Sequence, residues 1–432
     1  MNPTNPSNLS RLPCNEYVRG EMRSLFHWDP MNFLTIDLED YFQVHAFSNV
    51  IRFEEWDNYE SRIEHNTYRL LEILNECKSN FLSNVPNSLP HTSNLKPQGL
   101  DLTPCSMPSA LCRPVRATFF ILGWIAERYP DLIRRIQKEG HEIACHGYAH
   151  KLIYHQSKEE FREDIRKAKA ILENIIGDEV IGYRAPSYSI TNKSQWAFEI
   201  LTEEGFKYDS SIFPIHHDFY GFPKAPRFPF LISMNGNNNF EFSLLNFDLQ
   251  EPQSSVLNAS NCSPQNSKLS PQSSSLKGGN PASPQHRCFA SNLKRSAPPT
   301  SNDISVPPSA PCSMPHASSI VEFPISTVRI LGVNFPISGG GYFRLFPYSI
   351  IKKGLTRINR IEGMPFIFYL HPWELDDEQP RINSISMLSK FRHYVNLNKT
   401  EDRFKKLLTD FRFSAISDVL NGNTATLQYG ST

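Results

Sequence analysis

The stretch Glu142-Ile143-Ala144-Cys145-His146-Gly147-Tyr148-Ala149-His150 decides the fold. Its first four residues read as a short apolar strand, and that strand runs into two histidines four residues apart. Such spacing puts both rings on one face of a helical turn, close enough to grip a single metal ion. The same design recurs twice. Upstream, Phe33-Leu34-Thr35-Ile36 ends in the acids Asp37-Leu38-Glu39-Asp40; downstream, Phe366-Ile367-Phe368-Tyr369-Leu370 ends in His371. Strand ends that carry His, Asp and Glu are where an α/β barrel builds a metal-dependent active site.

Between these points the chain alternates strand and helix. Strand 33–37 leads to a helix over 66–77, with Leu70, Leu71 and Leu74 on one face. A strand from Val115 to Leu122 precedes a helix over 124–139 that stops at Gly140. The capping box Ser157-Lys158-Glu159-Glu160 opens a helix over 158–175, which buries Phe161, Ile165, Ala168 and Leu172. Strand 179–183 runs into Arg184-Ala185-Pro186, and a helix over 194–204 precedes Phe206-Lys207-Tyr208-Asp209. Repeated β-α units mean a parallel sheet with helices outside it, open or closed into a barrel.

The 432 residues, 39% of them hydrophobic, are ample for one large core. Three stretches stand apart. Residues 1–30 are polar and read as a loose N-terminal extension. Residues 80–113 and 251–318 are rich in Ser, Asn and Pro without periodicity, and read as disordered inserts in a domain spanning 31–420. Pro-Cys-Ser-Met-Pro occurs in both inserts, at 104–108 and 311–315, through chance or a shared origin. A net charge of +0 gives no reason to expect nucleic acid or an acidic membrane surface as partner. The eight cysteines form no CxxC pair, which suits a reducing compartment. Residues 1–30 show no secretory signal and no apolar run is long enough to span a bilayer, so the expected home is the cytoplasm.

Each chemical candidate has a plain alternative. Asp37 and Glu39 alternate on a strand and point to the same side, so one can ligate metal while the other takes a proton from water; a solvated strand end would look the same. His146 and His150 suit catalytic zinc, or iron in an oxygenase, or a surface turn; the helix-rich pattern argues against the oxygenase. Arg184 can grip a catalytic carboxylate bidentately, or simply precede a Pro-forced turn. His371 is a site residue or a satisfied core histidine.

Taken together, Thr35-Ile36-Asp37, His146-x-x-x-His150, Arg184-Ala185-Pro186-Ser187-Tyr188 and Leu370-His371 follow the motif order of the NodB-homology polysaccharide deacetylases, carbohydrate esterase family 4, which this chain resembles. Longer strings are similar to the bacterial subfamily associated with exosortase and exopolysaccharide loci: Asp37 to Val44, Tyr208 to Pro214, Gly339-Gly340-Gly341-Tyr342-Phe343-Arg344 and Phe391 to Asn396. The resemblance covers 31–79, 114–250 and 319–420, the last being the subfamily's C-terminal region. It implies a distorted (β/α) barrel and a metal-dependent N-deacetylase, with a divalent ion, zinc first, acting on an N-acetylated saccharide in exopolysaccharide biosynthesis. Carried over by motif, Asp37 is the general base, His146 and His150 are metal ligands, Arg184 orders the base and His371 is the general acid. The family's adjacent Asp-Asp pair is here Asp37-Leu38-Glu39-Asp40, so the carboxylate ligand is Glu39 or Asp40; strand alternation favours Glu39. The motif that orients the acidic histidine is also altered, and Asp209 is the candidate for that role. An oxyanion would meet a backbone N–H near Ser187-Tyr188. Tyr342, Phe343 and Trp373 would line a sugar groove, or else belong to the core.

Two rivals remain at this point. One is an amidase for a small non-sugar amide on the same scaffold. The other is a non-catalytic carbohydrate-binding protein, against which the intact Asp37, His146, His150, Arg184 and His371 argue.

Overall fold

The computed structural model describes residues 31–83, 115–217, 220–235, 239–248, 319–420 and 426–429. All of them fall in one compact unit, Met1–Pro252 with Pro315–Thr432. The second unit, Gln253–Met314, lies outside the described residues, as do the N-terminal extension, both copies of Pro-Cys-Ser-Met-Pro and nearly all of the two expected inserts.

The first half alternates as expected. Strand β1 (Asn32–Leu38) is buried along its whole length and leads to helix α1 (Ile63–Ser83), which takes in the first residues assigned to an insert. Strand β2 (Thr118–Ile121) comes next. The single helix expected over 124–139 is two: α2 (Gly123–Arg128) and α3 (Pro130–Lys138). Pro130 explains the break. It has no N–H to donate and crowds the residue before it out of the helical region, and Tyr129 sits at φ −124°, ψ 54°. Strand β3 (Glu142–Cys145) falls where the sequence put it. Helix α4 (Lys158–Ile176) opens on the expected capping box: the Glu160 N–H donates to Ser157 Oγ at 3.1 Å, and Glu160 Oε2 accepts from the Ser157 N–H at 2.7 Å. Strand β4 is only Gly182–Tyr183, helix α5 is Trp196–Glu203, and β5 is Tyr208–Asp209.

The second half is more irregular. Strands β6 (Phe230–Asn235) and β7 (Asn239–Asp248) form an antiparallel pair, succeeded by β8 (Ser319–Glu322). Strands β9 (Thr327–Ile330) and β10 (Val333–Pro336) make a separate two-stranded hairpin. Then come α6 (Gly340–Leu345), α7 (Tyr348–Arg360), β11 (Ile367–Leu370), α8 (Met387–Tyr394), α9 (Thr400–Asp410), β12 (Phe413–Ser414), α10 (Ser417–Leu420) and β13 (Thr426–Tyr429).

The main sheet runs β11-β1-β2-β3-β4-β5-β8-β6-β7-β13, with β12 also beside β1. It is parallel from β11 to β8 and antiparallel beyond. The fold is therefore α/β with a parallel sheet. Its hydrogen-bonded path among the described residues has β11 at one end and β13 at the other. Both faces of the strands are covered. Leu34, Ile36, Phe119, Ile121 and Cys145 pack into one apolar cluster, while the alternating Phe33, Phe120, Ala144, Tyr208 and Ile367 pack into another. Parallel pairing has one functional consequence: Leu38, Cys145, Tyr183, Asp209 and Leu370 all end their strands at the same edge. No helix among the described residues is long and apolar enough to cross a membrane.

Candidate active site at the carboxyl edge of the sheet

The residues at and just beyond these strand ends converge. Asp37, at the end of β1, meets Arg184, the first residue after β4. Arg184 is fully buried and uses all three of its nitrogens. Nη1 donates to Asp37 Oδ1 at 2.6 Å and to Thr35 Oγ1 at 2.9 Å; Nε and Nη2 donate to Ser210 O and Oγ at 2.9 and 2.8 Å. The expected two-pronged grip on the carboxylate is thus a single-nitrogen contact, because Ser210 after β5 takes the other prongs. Burial, the largest single influence, pushes the Asp37 carboxyl up, but Arg184 with His146 and His371 together outweigh it and hold it below the usual carboxylate range.

The two histidines do not lie on a helix. The segment after β3 is an irregular loop in which Gly147 (φ +75°) and His150 (φ +52°) take left-handed backbone. Gly147 is required there, since a Cβ would lie 2.8 Å from Asp164 Oδ2. The loop is pinned from two sides. Tyr148 N donates to Asp164 of α4 at 2.7 Å, while Gly123 N and Trp124 N at the start of α2 donate to the carbonyls of Gly147 and Tyr148 at 2.8 and 3.1 Å. The rings come together all the same, 5.4 Å apart between centroids. His146 Nδ1 lies 2.8 Å from Arg184 O. A carbonyl can only accept, so the proton is on Nδ1 and the Nε2 lone pair is left for a ligand. Burial drives His146 and His150 down to about 4, so both rings are neutral near pH 7.

The two acids open to choice have separate fates. Asp40 turns away and serves the start of α1: its Oδ2 accepts from Ser61 Oγ at 2.8 Å and from the N–H groups of Arg62 and Ile63 at 2.8 and 3.1 Å. Glu39 points into the site. Its Oε1 lies 3.0 Å from His371 Nε2, and its Oε2 lies 3.2 Å from His150 Nε2, buried and without a hydrogen bond. Among the described residues no three His, Cys, Asp or Glu side chains are already set as a cage for an ion. The donor set nevertheless suits a divalent cation. One unpartnered carboxylate oxygen sits beside two neutral imidazoles, on backbone tied to β1 and β3.

His371, just past β11, completes the group. Its Nε2 also lies 3.8 Å from Asp37 Oδ2. The carboxylate on its Nδ1 is Glu374, at 2.6 Å, and not Asp209. Asp209 directs its buried carboxyl to Ser211 Oγ at 2.6 Å and to Glu322 of β8, and the place expected for it beside His371 is taken by Glu374. Arg344 Nε in turn donates to Glu374 Oε2 at 2.6 Å. Burial lowers the His371 pKa, but the Glu39 and Glu374 carboxylates outweigh it and raise the ring to about 10. Sequence reasoning misses both Glu374 and Arg344. The His371-Pro372-Trp373-Glu374 spacing, one short helical turn, is the signal that could have found Glu374.

The aromatic expectations divide. Phe343 is a core residue. Trp373 is 4% exposed and stacks on His371 at 5.3 Å, so it props the ring rather than lining an open groove. Tyr188 reaches the site, with its hydroxyl 3.4 Å from Asp37 Oδ2. Tyr342 is half-buried at the rim, its hydroxyl 3.4 Å from that of Tyr220, a rim residue not anticipated. Ser187 and Tyr188 both hold left-handed φ, 51° and 54°, which sets their backbone at an uncommon angle beside the acids.

Residues 113–206 match the polysaccharide deacetylase family model, and residues 296–421 match a domain of unknown function, DUF3473. The chain is 36% identical over 101 residues to a peptidoglycan-N-acetylglucosamine deacetylase of Bacillus cereus, covering 23% of this chain and 37% of that one. It is 30% identical over 103 residues to a peptidoglycan deacetylase of Helicobacter pylori, covering 24% and 33%. A chitooligosaccharide deacetylase of Azorhizobium caulinodans is 34% identical over 102 residues, covering 22% and 46%. The chain thus spans less than half the length of these curated relatives. A Bacillus cereus polysaccharide deacetylase of known structure is 28% identical, with a TM-score of 0.21, over 23% of this chain and 48% of that one.

Proposed function

We propose, from the polysaccharide deacetylase domain at residues 113–206, that this chain is a metal-dependent hydrolase removing N-acetyl groups from a sugar or polysaccharide. The observation that carries the reading is the pairing of an Arg184-held Asp37 carboxylate with an unpartnered Glu39 oxygen, both within reach of His371. Glu39, His146 and His150 would hold the divalent cation, zinc first, whose chemistry is to polarise an acetamide carbonyl and acidify water. Asp37, ionised, accepts a proton from the attacking water. His371 presents its Nε2 proton to the departing amine, while Glu374 on Nδ1 fixes the ring and its tautomer. Acetate and a free sugar amine leave. The relatives named for peptidoglycan and chitooligosaccharide support an N-acetylated saccharide as substrate. The exopolysaccharide setting is supported by the strings at 208–214, 339–344 and 391–396.

The test is acetate release from a panel of N-acetylated oligosaccharides, before and after chelation and with zinc restored. Chelation should abolish release and zinc should return it; release indifferent to chelator, or none from any saccharide, would overturn the reading. Glu39→Ala should strip the ion. Asp40→Ala should keep it and instead cost about 1–2 kcal/mol of stability, the worth of a helix cap. The reverse pattern would reassign the ligand to Asp40.

A further inference from the structure

The β9–β10 hairpin ends in an unusual turn. Its two connecting residues, Leu331 and Gly332, both hold left-handed φ, 49° and 84°. That is the signature of a type I′ turn, which favours Asn, Asp or Gly at the first position. A bulky leucine there is a backbone outlier. Its side chain gains no packing in return, since Leu331 is 99% exposed. Its neighbours Ile330, Val333 and Phe335 are also exposed, at 50%, 56% and 45%. A strained, fully solvated leucine at the tip of an apolar ribbon makes sense as a group that is buried elsewhere.

Charge beside the ribbon says where. The hairpin, through Arg329, Gly332, Val333 and Asn334, lines a cavity of about 770 Å³ whose other wall is mainly the 214–228 segment. That wall contributes Lys224 and Arg227, and none of the described lining residues is acidic. Lys224 and Arg329 are exposed; Arg227 is anchored by Glu362 at 3.0 Å. The chain's zero net charge conceals this local positive collar. Apolar side chains at a tip, backed by exposed cations, match the layering of a bilayer with anionic headgroups.

We propose that the β9–β10 hairpin and the basic groove behind it dock the protein peripherally on an anionic phospholipid surface. Leu331 and Ile330 enter the acyl boundary. Lys224 and Arg329 meet the phosphates. The surface shares no residue with the candidate active site, so this docking stands or falls apart from the reaction.

Vesicle co-sedimentation of the full chain tests it, using phosphatidylcholine vesicles with and without phosphatidylglycerol. The wild-type chain should sediment with the mixed vesicles only, and added salt should release it. Leu331→Asn suits the turn better than leucine, so its unfolding midpoint should not fall, yet its bound fraction should drop about tenfold. Lys224→Glu with Arg329→Glu should lose binding to a similar extent. Leu331→Trp should bind and shift its fluorescence to the blue when mixed vesicles are added. Absence of sedimentation, full binding by Leu331→Asn, or unshifted Leu331→Trp emission would overturn the proposal. So would a dimer in solution that Leu331→Asn dissociates, because a second copy would then be what covers the tip.

Discussion

Arg184→Met should yield a chain that is both crippled and fragile. Arg184 has no exposed surface and donates to Asp37, Thr35 and Ser210, so it is the main positive charge on Asp37, with His371 farther off at 3.8 Å. Removing one partner of a buried ion pair strands the other, at a cost of about 3–5 kcal/mol. Asp37 would then rise toward the protonated form, because burial is the largest influence on it and Arg184 the main opponent. Denaturant unfolding and acetate release should fall together. The pH dependence has a definite sign. Asp37 is depressed in the folded chain, so the pair's contribution is fully present above the ordinary Asp value of about 4 and is lost only as pH falls through the lower folded value. The gap between wild type and variant should therefore be widest near and above neutrality and narrow as pH falls, first through the raised Asp37 value of the variant and then, in strong acid, through the lowered value of wild type. Wild-type stability in Arg184→Met would sink this account.

Asp37→Asn separates proton transfer from metal binding. The amide keeps the shape of the carboxylate and can still accept from Arg184, so fold and ion content should survive. Acetate release should fall by about two to four orders of magnitude, the usual range for a lost general base. His146→Ala should lose both ion and activity. His371→Ala should keep the ion and erase the alkaline limb of the pH–rate profile. An unchanged alkaline limb would remove His371 as proton donor.

Much of this arrangement is legible in the sequence. Apolar runs locate strands, and the residues that end an apolar run in a parallel sheet lie at its active edge; that reasoning places Asp37, His146, Arg184 and His371 together. The capping box at Ser157 is legible because its chemistry is local. The features that escape depend on backbone angles or on distant partners. The 146–150 loop mimics helical spacing but is shaped by two left-handed residues, and spacing alone does not report φ. Asp209 is a natural choice to orient His371 because it ends a strand, yet Glu322, from beyond residue 318, claims it. Trp373 reads as a candidate for an open groove, and burial against His371 and His393 is invisible to periodicity.

The position of β1 has a consequence during synthesis. This strand pairs β2 on one side, but on the other its partners are β11 and β12, with Phe33 registered against Ile367 and Ser414. At roughly 5–20 residues per second, a ribosome needs on the order of tens of seconds to deliver Ile367 after Phe33 has emerged. For that interval a strand made for complete burial waits with one row of peptide groups unsatisfied, the condition under which nascent chains pair with the wrong neighbour. Productive yield in the cell should therefore depend on how well the half-made sheet is shielded, and slowing translation late in the message should harm it more than slowing translation early.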